Sequence, residues 1–138
     1  IVIAEGTYTD EGTESGFAPF IYFPSTSSPS CNKRITMQCA VEDATKCIIQ
    51  GRDYADASIM HVNGGNTVTV NHHITFQGNT NAGVHGGGGI YNNADLTLNQ
   101  CHVKDNSSRS TGGGIFNRGD IALNHCYVTD NSGSAVGS

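Results

Sequence analysis

The chain has 138 residues, a formal net charge of −5 at pH 7 and only seven lysines and arginines. So few basic side chains leave no patch that would attract nucleic acid, and no apolar run reaches the roughly 20 residues of a membrane-spanning helix. Charged residues make up 14% and aromatic residues 7%, whereas glycine occurs 18 times. This composition is typical of a turn-rich β structure. We expect neither a nucleic-acid partner nor membrane insertion by this segment.

Residues 1–65 predict short strands separated by long, irregular loops. Apolar and polar residues alternate over short stretches, which is the pattern of half-buried strands. The predicted strands are 1–3, 20–23, 35–37, 47–49 and 59–62. The loop before Phe20 carries Asp10, Glu11 and Glu14, which we interpret as solvated and not as catalytic.

Three cysteines, Cys31, Cys39 and Cys47, lie in this irregular stretch. A disulfide would stabilise such a loop, and disulfides persist in oxidising compartments. We favour the pair Cys39 and Cys47. Cys31 is then left without an assigned partner.

From residue 66 to 138 the chain is regular, with a period of 25 residues. Residues 87–107 and 112–132 are identical at 13 of 21 positions. Strand-like alternation recurs at 68–70, 74–76, 88–91, 96–98, 101–103, 114–116, 121–123 and 126–128. A period in the twenties indicates stacked structural units.

Three strands of three or four residues plus turns account for one such unit. We therefore predict an all-β fold, a right-handed parallel β-helix solenoid of about five turns with three short strands each. Residues 1–138 would form one domain, which we expect to be part of a longer chain. Equivalent inward residues then stack, for example Leu98 on Leu123 and Val103 on Val128.

Cys101 and Cys126 fall in one inward column of this arrangement. We interpret them as stacked core thiols that pack as small apolar groups. Their expected Cα spacing of about 4.8 Å also admits a disulfide. A zinc site is disfavoured because the neighbouring Leu98 and Val103 are not ligands.

Asparagines recur at fixed steps after the predicted strands. Side-chain amides at such positions tolerate left-handed backbone and can hydrogen-bond along the axis of a stack. We predict structural ladders at Asn79, Asn106, Asn131, Asn92 and Asn117, and a further pair at Asn99 and Asn124. The glycosylation sequon at Asn106 is expected to remain unmodified because Asn106 belongs to a ladder.

Two short motifs carry a resemblance to a known family. Residues 76–79 (Phe-Gln-Gly-Asn) resemble the F-x-x-N element, and residues 87–90 and 112–115 (Gly-Gly-Gly-Ile) resemble the G-G-A-[ILV] element, of the chlamydial polymorphic membrane protein repeats. Residues 3–8 resemble the first turn of pectin-lyase-like β-helices. The resemblance implies a secreted or surface-displayed segment used in adhesion.

Catalytic motifs are incomplete in this sequence. Residues 85–88 (His-Gly-Gly-Gly) are similar to a lipase oxyanion loop, but no G-x-S-x-G elbow supplies a nucleophile, and the glycine run lacks the lysine of a phosphate-binding loop. The histidines are dispersed, and we expect exposed positions for them: His61, His72, His73, His85, His102 and His125. We predict no catalytic residue and no cofactor, with weak Ca²⁺ binding at the stacked pairs Asp105/Asp130 and Asp95/Asp120 as an alternative to solvated turns.

The outward strand positions show no carboxylate pair that a polysaccharide lyase or hydrolase would need. One face carries Thr69, Thr97 and Ala122, and a second carries Thr75, His102 and Tyr127. Ala122 interrupts the threonine array that an ice- or carbohydrate-binding face would need. Exposed Tyr91, Phe116 and Tyr127 are expected to supply contact area.

The sequence favours a non-catalytic structural or adhesive module of a secreted or cell-surface protein. Expected partners are glycans, surface proteins, or further copies stacking end to end. A carbohydrate-active enzyme and a carbohydrate- or ice-binding β-helix are the alternatives.

Overall fold

The structure, a computed structural model, describes residues 1–9, 21–25, 33–43, 45–53, 57–84 and 86–134. Regular structure in these ranges is entirely β. Predictions that concern Asp10, Glu11, Glu14, Cys31 and His85 fall outside the described residues.

Short strands in the described ranges form four parallel sheets. The first sheet contains β1 (Val2–Ile3), β4 (Lys33–Cys39), β7 (Asn66–Asn71), β11 (Asp95–Asn99) and β15 (Asp120–Asn124). The second contains β2 (Gly6–Thr9), β5 (Cys47–Gln50), β8 (Ile74–Gln77), β12 (His102–Lys104) and β16 (Tyr127–Thr129). The third contains β9 (Thr80–Asn81), β13 (Ser107–Ser108) and β17 (Ser132–Gly133). The fourth contains β3 (Ile21–Phe23), β6 (Met60–Val62), β10 (Ile90–Asn92) and β14 (Ile115–Asn117).

From β7 onward the chain visits these sheets in one repeating order: first, second, third, fourth, and first again. Each time the chain comes back to a sheet, its new strand pairs in parallel with the previous strand of that sheet. The strands of the other three sheets form the crossover that a parallel connection needs. The prediction of an all-β fold with stacked parallel strands is confirmed, and the arrangement is consistent with a β-solenoid.

The register places equivalent apolar residues in columns that point into the core. In the first sheet Leu98 lies opposite Val70 on one side and Leu123 on the other. In the second sheet Val103 lies between Phe76 and Val128 in the same way. Alternation along each strand therefore sends one apolar set inward, where Val70, Phe76, Leu98 and Val103 are fully buried.

Two sets of strands were not predicted from the sequence. β2 lies in a stretch of glycine, threonine and tyrosine that the prediction treated only as a motif. The third sheet consists of two-residue strands such as Ser107–Ser108, which carry no apolar periodicity. This strand is recognised by its pairing with β9 on one side and β17 on the other, because its own sequence has no strand pattern.

The residue directly after a strand of the second sheet adopts left-handed backbone in three successive turns of the coil. Gly78 has φ of 68°, and Asp105 and Asp130, which follow equivalent strand positions, have φ of 54°. Glycine adopts this conformation freely, and aspartate tolerates it better than most residues. A conformational requirement thus accounts for the recurrence of aspartate at this turn.

Candidate functional site

Three asparagines on successive turns of the coil, Asn79, Asn106 and Asn131, form a ladder, here called the inner ladder. The backbone N–H of Asn79 donates to Oδ1 of Asn106 at 3.1 Å, and that of Asn106 donates to Oδ1 of Asn131 at 3.0 Å. Nδ2 of Asn106 also donates to the carbonyl oxygen of Phe76 at 3.0 Å. Asn79 and Asn106 are buried, so these bonds satisfy groups that water does not reach. Asn106 is also the sequon residue, and it is only 1% exposed.

Two further amide ladders link successive turns. Nδ2 of Asn92 donates to Oδ1 of Asn117 at 2.7 Å. On the outer side of the first sheet, Nδ2 of Asn99 donates to Oδ1 of Asn71 at 2.6 Å, and Nδ2 of Asn124 donates to Oδ1 of Asn99 at 2.7 Å. Asn71 extends the Asn99/Asn124 pair by one turn, and the register of β7 with β11 was needed to find it.

The cysteines divide into a bridged pair and a stacked pair. Cys39 and Cys47 form a disulfide with a Cα–Cα distance of 5.9 Å. Cys101 and Cys126 carry free thiols on consecutive turns, and the Sγ of Cys101 donates to the carbonyl oxygen of Asn99 at 3.3 Å. Burial raises the pKa of the Cys101 thiol to about 12, so this sulfur is a poor nucleophile at neutral pH.

The outer face of the fourth sheet is an aromatic column. The rings of His61 and Tyr91 stack at 4.2 Å between centroids, and those of Tyr91 and Phe116 at 5.4 Å. Tyr22 meets the edge of His61 at 5.7 Å. Tyr91 is 8% exposed and His61 7% exposed, so the predictions of an exposed Tyr91 and an exposed His61 are wrong.

Aromatic neighbours on both sides explain this burial. The segment at Gly86 also lies so close to the ring of Phe116 that a Cβ on Gly86 would come within 2.7 Å of it. Strand alternation correctly directs Tyr91 away from the core, but it carries no information about neighbouring turns. His61 and Tyr91 therefore offer little contact area to a partner, whereas Tyr22 at the end of the column is 50% exposed.

The outer face of the second sheet contains a groove of about 230 Å³. Its lining residues are Thr45, Ile48, Thr75, Gln77, His102 and Lys104. Thr75 faces outward as predicted, yet it is only 3% exposed and forms part of the groove floor. At the margin, the Tyr127 ring meets the His102 ring edge-on at 5.0 Å and is 63% exposed.

The polar groups that line this groove include one ammonium group, one imidazole and one side-chain amide. Nζ of Lys104 lies 3.6 Å from a carboxylate oxygen of Asp105. Burial lowers the pKa of His102, and the nearby charges of Lys104 and His73 lower it further. Because the protonated imidazole is disfavoured, His102 offers a neutral ring with one donor and one acceptor nitrogen.

The outer face of the first sheet is uncharged at its centre. Thr36 lies in register with Thr69, Thr69 with Thr97, and Thr97 with Ala122. Thr36 thus adds a third threonine to the predicted column, whose interruption at Ala122 is confirmed. Next to it, Asp95 lies opposite Asp120 at the rim of a cleft of about 440 Å³ that Arg118 also lines.

Within the described residues, no group of three or more histidine, cysteine, aspartate or glutamate side chains is placed to hold a metal ion. The same part of the chain contains no helix long and apolar enough to cross a membrane. The sequence matches no protein-family model, and no curated protein and no solved structure is significantly similar to it.

Proposed function

We propose that this chain is a non-catalytic structural or adhesive module of a secreted or cell-surface protein. In this proposal the coil is a parallel β-helix of about five turns, of the pectin-lyase-like class. Its proposed hand is right, because crossovers between parallel strands of one sheet are almost always right-handed. In this proposal the stacked turns form a rod, and the outer strand faces carry the contacts.

The distribution of recurring residues carries the proposal. Leu98 and Asn106 recur after 25 positions, are buried and build the coil, whereas Asp95 and Asn99 recur at the same interval on the outer side and are not buried. On the second sheet, by contrast, the outward residues differ from one turn to the next. His102 lies opposite Tyr127, and Lys104 lies opposite Thr129. Because function in a solenoid lies in what decorates its faces, repetition of the core with variation of the faces supports a scaffold that presents a particular surface.

The Cys39–Cys47 disulfide supports an extracellular or cell-surface location. Disulfides persist in oxidising compartments and are rare where thioredoxin and glutathione keep thiols reduced. Burial protects the Cys101 thiol, and such a thiol is compatible with the same environment.

The outer face of the second sheet is the contact surface in this proposal. Tyr127 offers an exposed ring, and the groove beside it offers the Gln77 amide, the His102 imidazole and the Lys104 ammonium group. An aromatic ring with adjacent polar groups suits glycans and protein surfaces, since the ring packs on apolar groups of the partner and the polar groups form hydrogen bonds at the hydrated edge. Glycans or surface proteins are therefore the proposed partners.

Binding of the purified chain to a glycan array and to intact cells tests this proposal. Tyr127→Ala is expected to weaken binding about tenfold, the loss of roughly 1.4 kcal/mol. Tyr22→Ala is the matched control, because Tyr22 is a half-exposed tyrosine on a different sheet. Equal losses in both variants, or release of cleaved polysaccharide by the wild-type chain, would contradict the proposal.

A further inference from the structure

An Arg-Gly-Asp sequence lies at the corner where the chain passes from the fourth sheet to the first. Arg118 and Gly119 form a bend between β14 and β15, and Asp120 is the first residue of β15. Arg118 and Asp120 are exposed, and both line the cleft of about 440 Å³ beside the first sheet. A cationic and an anionic side chain are thus presented together on one side of the coil.

The exposure of these two side chains is a property of the corner and not of the last turn. The register places Asn93 and Asp95 at the equivalent positions one turn earlier, beside Arg118 and Asp120 respectively. That earlier turn has a hydrogen-bonded turn on each side, yet Asn93 and Asp95 are exposed as well. The corner therefore directs both positions outward, away from the axis along which the turns stack.

The residue between the two charges has to be glycine. A Cβ on Gly119 would overlap the carbonyl oxygen of Ala94 and lie 2.5 Å from its nitrogen. Ala94 is itself buried against the coil. Close contact between the two backbones thus seats Gly119 on the preceding turn and leaves Arg118 and Asp120 as the protruding side chains.

Hydrogen bonds fix the backbone of this tripeptide. The N–H groups of Arg118 and Asp120 donate to carbonyl oxygens of the preceding turn, at 2.8 and 3.0 Å. Nδ2 of Asn117 donates to the carbonyl oxygen of Gly119 at 2.7 Å. Because the backbone is already ordered, a partner that binds the two side chains pays little additional conformational entropy.

Both charged groups are available to a partner. Among the described residues, neither the Arg118 guanidinium nor the Asp120 carboxylate has an ion-pair or side-chain hydrogen-bonding partner. A guanidinium presents a planar fork of donors that matches a carboxylate. In the described part of the chain no cluster of three metal-ligating side chains surrounds Asp120, but a single carboxylate can complete the coordination of a Mg²⁺ ion that a partner holds.

We infer that Arg118, Gly119 and Asp120 bind a cell-surface protein receptor that carries a divalent cation. The Asp120 carboxylate supplies an oxygen ligand to that cation, and the Arg118 guanidinium pairs with a carboxylate of the receptor. Arg-Gly-Asp is also a known cell-adhesion sequence. The inference rests on the adhesive function proposed above and adds a protein partner and a second contact surface, apart from the outer face of the second sheet.

Adhesion of cultured cells to the immobilised chain tests the inference. Asp120→Glu moves the carboxylate by one methylene group, and Arg118→Lys replaces the planar fork by a single ammonium group. Each variant should raise the coating concentration for half-maximal adhesion by at least about tenfold, as expected when one partner of a desolvated charge pair is lost. Circular dichroism checks that each variant keeps its β structure.

Asp95→Glu is the matched control and should adhere like the wild-type chain. Asp95 is exposed at the equivalent position, but Asn93 and Ala94 precede it where Arg118 and Gly119 precede Asp120. The soluble peptide Gly-Arg-Gly-Asp-Ser should block adhesion, whereas Gly-Arg-Gly-Glu-Ser should not. Removal of divalent cations with EDTA should abolish adhesion, and added Mg²⁺ should restore it.

Three results would overturn the inference. One is wild-type adhesion that neither EDTA nor the Arg-Gly-Asp peptide reduces. Another is a folded Asp120→Glu chain that adheres like the wild type. The last is an equal loss in Asp95→Glu, which would assign adhesion to the acidic surface in general.

Comparison with Tyr127→Ala separates this inference from the proposed function. Adhesion that is lost in Tyr127→Ala and unchanged in Asp120→Glu would leave the proposed function standing and overturn the inference. Adhesion that is lost in Asp120→Glu and unchanged in Tyr127→Ala would support the inference and contradict the choice of the second sheet as the contact surface.

Discussion

The two halves of the coil stabilise the same sheets by different means. Beyond residue 66, successive turns place apolar residues at the same inward positions, and asparagines such as Asn106 connect one turn to the next by side-chain hydrogen bonds. Before residue 66 the spacing of the strands is irregular, and the Cys39–Cys47 disulfide joins the end of β4 to the start of β5. Repetition can thus be replaced, where it is absent, by a local covalent link.

The largest expected effect is in the regular half, at the centre of an inward column. Leu98→Ala should lower the free energy of unfolding by about 3–4 kcal/mol, because Leu98 is fully buried and the substitution leaves a cavity. Leu123→Ala is the matched control and should cost about 1 kcal/mol in the monomeric chain, since Leu123 is 45% exposed. Chemical denaturation of both variants measures the difference, and equal costs would contradict the assigned register.

The second effect concerns the inner ladder of Asn79, Asn106 and Asn131. Asn106→Ala should destabilise the chain by about 2–3 kcal/mol, because it leaves the buried Asn79 N–H and Phe76 carbonyl groups without their partner. Asn99→Ala, in the half-buried outer ladder, should cost about 0.5–1 kcal/mol, since water can replace its bonds. Thermal unfolding of the two variants compares them. A smaller loss for Asn106→Ala than for Asn99→Ala would contradict a structural role for the inner ladder.

The third effect tests whether the irregular half depends on its covalent link. Replacing both Cys39 and Cys47 by alanine should cost about 2 kcal/mol, because the bridge closes a short loop in the unfolded chain. Hydrogen exchange should speed up in β4 and β5 and stay unchanged in β11 and β12. Uniform acceleration across both halves would contradict the comparison.

The smallest effect is on the pH dependence of stability. Burial lowers the pKa of His102 in the folded chain, and the nearby Lys104 and His73 lower it further. The stability that the neutral ring provides is complete above the unfolded pKa of about 6.5 and is lost as pH falls through the lower folded pKa. His102→Gln should therefore reduce the drop in Tm between pH 7 and pH 5. His125→Gln, at an exposed turn, is the control, and an equal effect there would contradict this origin.

Much of the regular half was predictable because its strand pattern and its repeat period can both be read from the sequence. Alternation marks β11 and β15, and the 25-residue period sets their register, so the pairing of Leu98 with Leu123 follows from the sequence. The prediction of asparagine ladders rested on the same period. The irregular half lacks it, which is why β2 was not predicted as a strand.

The outer faces were less predictable because their burial depends on neighbouring turns. Tyr91 points outward as alternation requires, but it packs between His61 and Phe116, which are 30 and 25 residues away in the chain. Thr75 is covered in the same manner, as part of the floor of the groove. A strand pattern identifies the face of a side chain, and only the assembled turns determine its exposure.

Methyl-to-methyl NOEs in the leucine- and valine-labelled chain test the central claim, the parallel in-register stack, most directly. The stack predicts contacts from Leu98 to Val70 and to Leu123, and from Val103 to Val128. It predicts no direct contact between Val70 and Leu123, which lie two strand spacings, roughly 10 Å, apart. A contact from Val70 to Leu123, or none from Leu98 to Leu123, would contradict it.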